Sequence, residues 1–459
     1  MRAPRLHLLC LMFGLVAGAG QSVCVARPST PGDELRARIE AAVPGDTLVV
    51  APGDYQGPFV IEKSLRLLAD PPASAGNAPV ILRGDRRTHV VAIRAPDVEI
   101  SGFTLRSSGR DLSADHAAIH ISAARAFIHD NRILDSLHGI YVRKAADCRI
   151  ENNVILGDGT LAGSIAGVAD PLAAGLRPGE AELCEIESVQ DRRGNGIHLW
   201  NSAGHRITGN TISGARDGIY FSFTDATAVR GNTITGVRYG LHYMYSDDNV
   251  FEQNTFSANA AGAALMYSKN IHLSENRFTA NRSHRAYGLL LQSVDDTRIE
   301  QNLIEGNTLG LFMENSNHNT VRANRILNNH IGLRVSDSTR DTAFSGNTFS
   351  GNIHPVETSG RNTGNTWAVD GRGNRWDGAL ALDLNRDGVA DLSHREPDLF
   401  GPWRRAFPAI GLLSASPGER LLRFIHSRLA LPGISGITDP APLAGAPSPT
   451  VPEPVPATP

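Results

Sequence analysis

The 459 residues carry 44 Lys and Arg against 47 Asp and Glu, a net charge of −3 with His neutral. Such a balance excludes a broadly basic surface for nucleic acid. Glycine occurs 46 times and aromatic residues make up only 6%, which favours many turns and little helix.

The chain opens on "MRAPRLHLLCLMFGLVAGAGQSVCVA". Arg2 and Arg5 precede an apolar run from Leu6, and small residues follow, so residues 1–26 read as a secretory signal peptide cleaved after Ala19 or Ala26. The apolar run is shorter than the ~20 residues that a membrane span needs, and no later segment is long enough. The sequence thus predicts an exported protein that does not itself span a membrane. Cys10 and Cys24 leave with the signal, whereas Cys148 and Cys184 remain as either a disulfide or two separate thiols.

Residues 27–110 read as an N-terminal cap and the first coils. "DELRARIEAAVPGDTLVV" predicts an amphipathic helix over residues 33–42, then a turn and a strand, which would plug an open sheet edge. Residues 111–360 are dominated by a repeat. A glycine followed by alternating apolar residues recurs at Gly139, Gly196, Gly218, Gly240, Gly262, Gly288, Gly310 and Gly332, mostly 22 residues apart. Asparagines keep step at positions 131, 153, 210, 232, 254, 276, 302, 324 and 347, each with an apolar residue three before and two after. A unit of ~22 residues with three short strand patterns cannot bury its own apolar face and must stack on its neighbours. The fold class is therefore all-β, a right-handed parallel β-helix with an N-terminal capping helix and a short C-terminal helical cap. Stacked asparagines would hydrogen-bond along one corner.

Two insertions interrupt the period, one over 157–193 and a shorter one carrying His284. Both enter just before the glycine-led strand. After Phe349 the period fades into a C-terminal cap, 361–439. There "DLNRDGVAD" sets Asp383, Asn385, Asp387 and Asp391 around Gly388, which fits a calcium loop or a plain Asx-rich turn. "SPGERLLRFIHSRLALPGI" follows as a basic amphipathic helix suited to docking. Residues 440–459 are proline-rich and predict a disordered tail.

On the glycine-led strand, residues two and four after the glycine should face outward. They include His198 and Trp200, Tyr220 and Ser222, His242 and Met244, Ala264 and Met266. In "GLHYMYSDD", Tyr243 and Tyr245 should face the core. Met244 and Met266 should be neighbours on adjacent coils ~4.8 Å apart, with His198 two coils from His242. Thioether and imidazole are the ligands that favour copper(I). The same exposed stripe, with Trp200, Tyr220 and His284, also reads as a surface for a protein partner. The opposing possibility is a lyase, hydrolase or epimerase acting on sugar polymers. Asp217, Asp225, Asp247, Asp248, Asp295 and Asp296 read as turn residues that pair with no His or Arg on the exposed strand, so no catalytic set is expected.

At "GNGIHLWNS", "RDGIYFSFTDA", "GLHYMYSDDN" and "AALMYSKN" the sequence resembles the NosD family, β-helical periplasmic proteins of nitrous oxide reductase maturation. The resemblance runs over nearly the whole mature chain. It implies a non-catalytic accessory protein, peripheral on the inner membrane through the permease and ATPase of an ABC transporter. It implies further that copper, with sulfur as a second candidate cargo, passes from a copper-chaperone lipoprotein toward the copper–sulfur centre of nitrous oxide reductase. On that basis His242, Met244 and Met266, with His198, become a transient copper(I) site.

Overall fold

The computed structural model describes residues 30–70, 79–158, 193–283, 286–359, 364–380, 382–399, 403, 406–407, 416–428 and 436–445. The predicted signal peptide, Cys184 and most of the 157–193 insertion, His284 and the tail beyond residue 445 lie outside the described residues.

Three parallel sheets of 12, 13 and 12 strands run the length of the chain, each taking every third strand. The first begins with Thr47–Val50, the second with Gly53–Gln56 and the third with Phe59–Ile61. Strands of the first two sheets are mostly three residues long with only the middle side chain buried, as in Arg206–Thr208 and Thr211–Ser213. This is the parallel β-helix that the repeat requires. Its interior is one continuous column of Ile, Leu, Val and Phe. Within it the Phe256 and Phe278 rings stack 5.2 Å apart.

The repeat glycine has a steric cause. A Cβ on Gly240 would lie 2.5 Å from the Gly262 carbonyl oxygen, and one on Gly310 2.4 Å from that of Gly332. On the coils from Gly139 to Gly332 no side chain fits where the third sheet turns away from the second. The repeat asparagine has a hydrogen-bonding cause. Asn232 Nδ2 donates to the Ile207 carbonyl at 2.9 Å and to Asn254 Oδ1 at 2.9 Å, while the Asn232 N–H also reaches Asn254 Oδ1 at 3.0 Å. Repeated on the coils from Asn131 to Asn374, this satisfies buried turn groups that water cannot reach. A second ladder, unmarked by the sequence reading, runs through Asn259, Asn281, Asn307, Asn329 and Asn352 at the next corner.

Helix α1 (Pro31–Ala41) covers the N-terminal end. It starts two residues before the predicted boundary because Thr30 caps it, with Asp33 closing the capping box and proline at the first turn. Arg36 and Arg38 donate to the carbonyls of Gln56 and Val49, at 2.7 and 2.8 Å, which blunts the open strand edge.

The period does not stop at Phe349. A longer connection hides one further coil, in which Asn374 extends the asparagine ladder and Trp367 and Trp376 stack on Phe344 and Phe349. Asp439 ends that ladder, accepting from the Asn374 N–H at 2.6 Å and Trp376 Nε1 at 2.8 Å. It lies on Gly436–Asp439, which pairs antiparallel with His394–Pro397. Residues 440–445 stay attached to this cap, with Leu443 N donating to the Asn374 carbonyl at 2.9 Å. Helix α2 (Pro417–Arg428) completes it, where Arg423 donates to the Ile353 carbonyl at 2.8 Å.

Candidate functional site

Both insertions leave from the second sheet and return into the third, so the third sheet's outer face lies between them. Register along that face brings one residue of each coil into a single row. His120, Tyr141, His198, Tyr220, His242 and Ala264 are successive partners, followed by Leu290 and Phe312. The rings of the first five are in contact: His120–Tyr141 at 5.6 Å, Tyr141–His198 at 4.3 Å, His198–Tyr220 at 4.5 Å and Tyr220–His242 at 4.9 Å. Ala92 is the next partner in register, and His89, just before its strand, brings its ring 4.3 Å from His120. The adjacent row runs Trp200, Ser222, Met244, Met266 and Gln292.

The predicted metal residues divide. Met244 and Met266 are register partners on neighbouring coils, and His242 is two residues before Met244 on the same strand. His198 is separated from His242 by the intervening Tyr220 ring, two rungs or ~10 Å away, so one ion cannot join both. Met266 is also not exposed as predicted. It is 3% accessible, packed with Tyr239, Ala264, Tyr287 and Leu290, and Met244 is half-buried against the same cluster. The cover comes from residues before the glycine. Tyr239 and Tyr287, each just before one, fold over the outer face as well. A second correction concerns Tyr245, which was expected in the core. It is exposed, while Tyr243 is fully buried and donates to the Ser246 carbonyl.

Asp217, read as a turn residue, lies fully buried beneath the row. Arg238 grips it with Nε to Oδ1 at 2.8 Å and Nη2 to Oδ2 at 2.7 Å, and His242 Nδ1 meets Oδ2 at 3.1 Å. Burial works against the carboxylate's charge, but the Arg238 guanidinium and the His242 contact outweigh it and hold the carboxyl far below its usual range. A carboxylate at Nδ1 fixes His242 as the Nδ1–H tautomer and leaves the Nε2 lone pair available, the arrangement found behind metal-bound histidines.

Other imidazoles of the face are set the opposite way. The Asn195 N–H donates to His138 Nδ1 at 3.0 Å and the Ala117 N–H to His89 Nδ1 at 3.2 Å, so each neutral ring carries its proton on Nε2. Burial lowers His138 to about 3 and His89 and His120 to about 4. Burial, with His138 and Arg216 nearby, also holds His198 well below its ordinary value. These rings are neutral spacers at any working pH.

Trp200 lies under two cations, Arg143 at 5.0 Å and Lys144 at 5.5 Å from its ring. Trp200 and Arg143, with Asp115, Tyr141, His198, Tyr220 and Ser222, line a shallow depression of ≈ 340 Å³. In the loop read as a calcium site or an Asx-rich turn, the carboxylates accept backbone bonds. Asp383 accepts from the N–H groups of Asp387 and Gly388 at 3.1 and 3.0 Å, and Asp391 from that of Leu384 at 2.7 Å, an Asx-rich turn. Among the described residues no cluster of three or more His, Cys, Asp or Glu side chains is shaped for a metal. Cys148 is a buried thiol raised to about 11 by burial, its Sγ 3.5 Å from the Ala146 carbonyl.

A stack of parallel coils that gathers imidazole, phenol and thioether side chains on the outer wall of its third sheet defines a parallel β-helix protein. Mannuronan C-5 epimerase A-modules of Azotobacter vinelandii share this fold. AlgE6 has a TM-score of 0.55 at 12% identity, covering 74% of this chain and 93% of that one; AlgE4 has a TM-score of 0.50 at 12% identity, covering 74% and 94%. The chain belongs to the NosD family. The family described as periplasmic copper-binding protein (NosD) matches residues 182–380. The protein of Stutzerimonas stutzeri named probable ABC transporter binding protein NosD is 32% identical over 96% of this chain and 94% of its own length. Its namesake in Pseudomonas aeruginosa is 30% identical over 87% and 88%. No helix among the described residues is long and apolar enough to cross a membrane.

Proposed function

We propose that this chain is a periplasmic copper-handling protein that binds copper(I) in transit and works with an ABC transporter. The observation that carries the reading is the Asp217–His242 pair beside Met244 and Met266. One imidazole nitrogen is freed for a ligand by a buried carboxylate, next to two thioethers on adjacent coils. His242 Nε2 and the half-buried Met244 sulfur take the ion first, and Met266 joins when the Tyr239–Tyr287 cover shifts. Two or three soft ligands at the surface suit a site that must give its ion up again. In this reading the cargo goes to the copper–sulfur centre of nitrous oxide reductase, is supplied by a copper-chaperone lipoprotein and is coupled to a permease and ATPase; the family's description as copper-binding and its relatives' naming as ABC transporter binding proteins support the reading. Trp200 and Tyr220 lie on the same face as the site, and these two with His284 are the proposed partner contacts. Residues 1–26 serve as the export signal.

Competition titration with a copper(I) chelator tests the site. His242→Ala and Met244→Ala each weaken binding at least tenfold; unchanged affinity in both removes it.

A second reading, sugar-polymer chemistry, is favoured by the depression where Asp115, Tyr141, Arg143 and His198 converge. Turnover of a uronate polymer by the metal-free protein, lost in Tyr141→Phe, would establish it.

A further inference from the structure

Next to the methionine row lies a row in which the backbone turns left-handed on coil after coil. Lys144, Asn201, Phe223, Tyr245, Tyr267, Ser293 and Asn315 occupy it with φ between 48 and 54°. Asparagine tolerates this region because its short side chain bonds locally, whereas a bulky ring clashes with its own backbone. Yet three consecutive coils place Phe223, Tyr245 and Tyr267 there. Their rings stack at 5.2 and 5.1 Å with interplanar angles of 8 and 11°. They are 54, 47 and 47% exposed. An aromatic ladder that is both strained and solvated contributes little to folding. Asn201 and Asn315 show that the solenoid can be built without it.

The charges beside the ladder say what it meets. On the corner that follows, Asp225, Asp248 and Asp296 are exposed and Asp247 and Asp295 half-buried, against the single exposed cation Lys269. The nearest cation along the ladder's own row, Lys144, and its neighbour Arg143 in the methionine row are turned onto Trp200. An apolar strip edged by five carboxylates repels an anionic membrane surface and attracts a polypeptide that mixes Lys or Arg with aliphatic or thioether side chains.

We propose that the Phe223–Tyr245–Tyr267 ladder and its acidic border form a docking surface for a basic, apolar segment of a protein partner. The surface does not depend on the copper reading. Each ladder residue follows directly on Ser222, Met244 or Met266, so a partner seated there stands beside the methionine row.

The test uses the full mature protein with a triple substitution, Phe223→Asn, Tyr245→Asn and Tyr267→Asn. Asparagine already stands at this turn in Asn201 and Asn315, so the variant should melt no lower than wild type. The probe is a synthetic peptide of alternating Lys, Leu and Met, with a Glu-for-Lys counterpart, followed by tyrosine emission and by calorimetry. Wild type should bind the lysine peptide in a salt-sensitive way, and the folded triple variant about tenfold or more weakly. Equal binding by the variant, equal binding of the glutamate peptide, or no binding to wild type overturns the proposal. So does self-association of wild type that the triple variant abolishes, which would assign the surface to a second copy. Copper(I) affinity is measured on the same variant, and its retention with loss of peptide binding separates this surface from the metal site.

Discussion

Replacing Asp217 by asparagine tests the core of the site by two independent readouts. Asp217 and Arg238 are both buried, bonded at 2.8 and 2.7 Å, and the carboxylate also holds His242 at 3.1 Å. The amide keeps the shape but removes the carboxylate charge from the buried Asp217–Arg238 pair. Breaking one side of a buried pair costs about 3–5 kcal/mol. Exchanging both partners for apolar residues, Asp217→Leu with Arg238→Met, removes both charges of the pair and should bring stability back to within about 1–2 kcal/mol of wild type. Copper should separate the two. Without its carboxylate His242 loses its fixed tautomer, and removal of such a supporting partner lowers metal affinity about 10–100-fold, so the double variant stays weak although it is stable. Guanidinium melts and chelator competition on the three proteins supply both quantities. A double variant that binds copper(I) like wild type would refute the carboxylate's role, and a single variant as stable as wild type would refute its burial as an ion.

Three further outcomes follow from the packing. His138 and His205 are buried with their values lowered to about 3 and about 4. Both therefore bind protons more readily unfolded than folded. Their stability contribution is complete above about pH 6.5 and is lost as the pH falls toward 4, at about 2 kcal/mol each by pH 5. Melts at pH 7 and pH 5 measure this, and His205→Asn, an acceptor of the kind Asn249 supplies two coils on, should flatten the slope. Asn276→Ala removes donors to the Phe251 carbonyl at 2.8 Å and Asn302 at 3.0 Å and the acceptor for Asn254. Orphaning these buried groups should cost about 2–4 kcal/mol in a denaturant titration. Gly240→Ala drives a methyl to 2.5 Å from the Gly262 carbonyl and 2.8 Å from Phe256, and should lower the melting temperature by several degrees; an unchanged melt contradicts the steric account of the repeat.

The sequence was most informative where one residue type does one job on every coil. The glycine recurs because no Cβ fits beside the next carbonyl, and the asparagine because each corner must bond its neighbour; both survive as spacing. The same regularity placed Met244 opposite Met266. It failed where the residue type changes while the position keeps its task. Asp217, Tyr239 and Tyr287 share one position before the glycine, yet carboxylate and phenol give no common signal, so the buried ion pair and the cover over Met266 went unseen. His89 and His120 were missed because the early coils lack the glycine marker, although stepping back from "GIYV" in register leads to His120. Tyr245 was assigned inward because alternation was carried one residue too far. The backbone turns left-handed there and sends its ring outside.

The central claim is that His242 and Met244 bind copper(I) together on the outer wall. X-ray absorption of the copper(I)-loaded protein addresses it most directly. The account predicts scattering from sulfur and from one imidazole, with the sulfur shell reduced in Met244→Ala and the imidazole lost in His242→Ala. A spectrum of nitrogen and oxygen ligands alone, or one unaltered by either substitution, would contradict it.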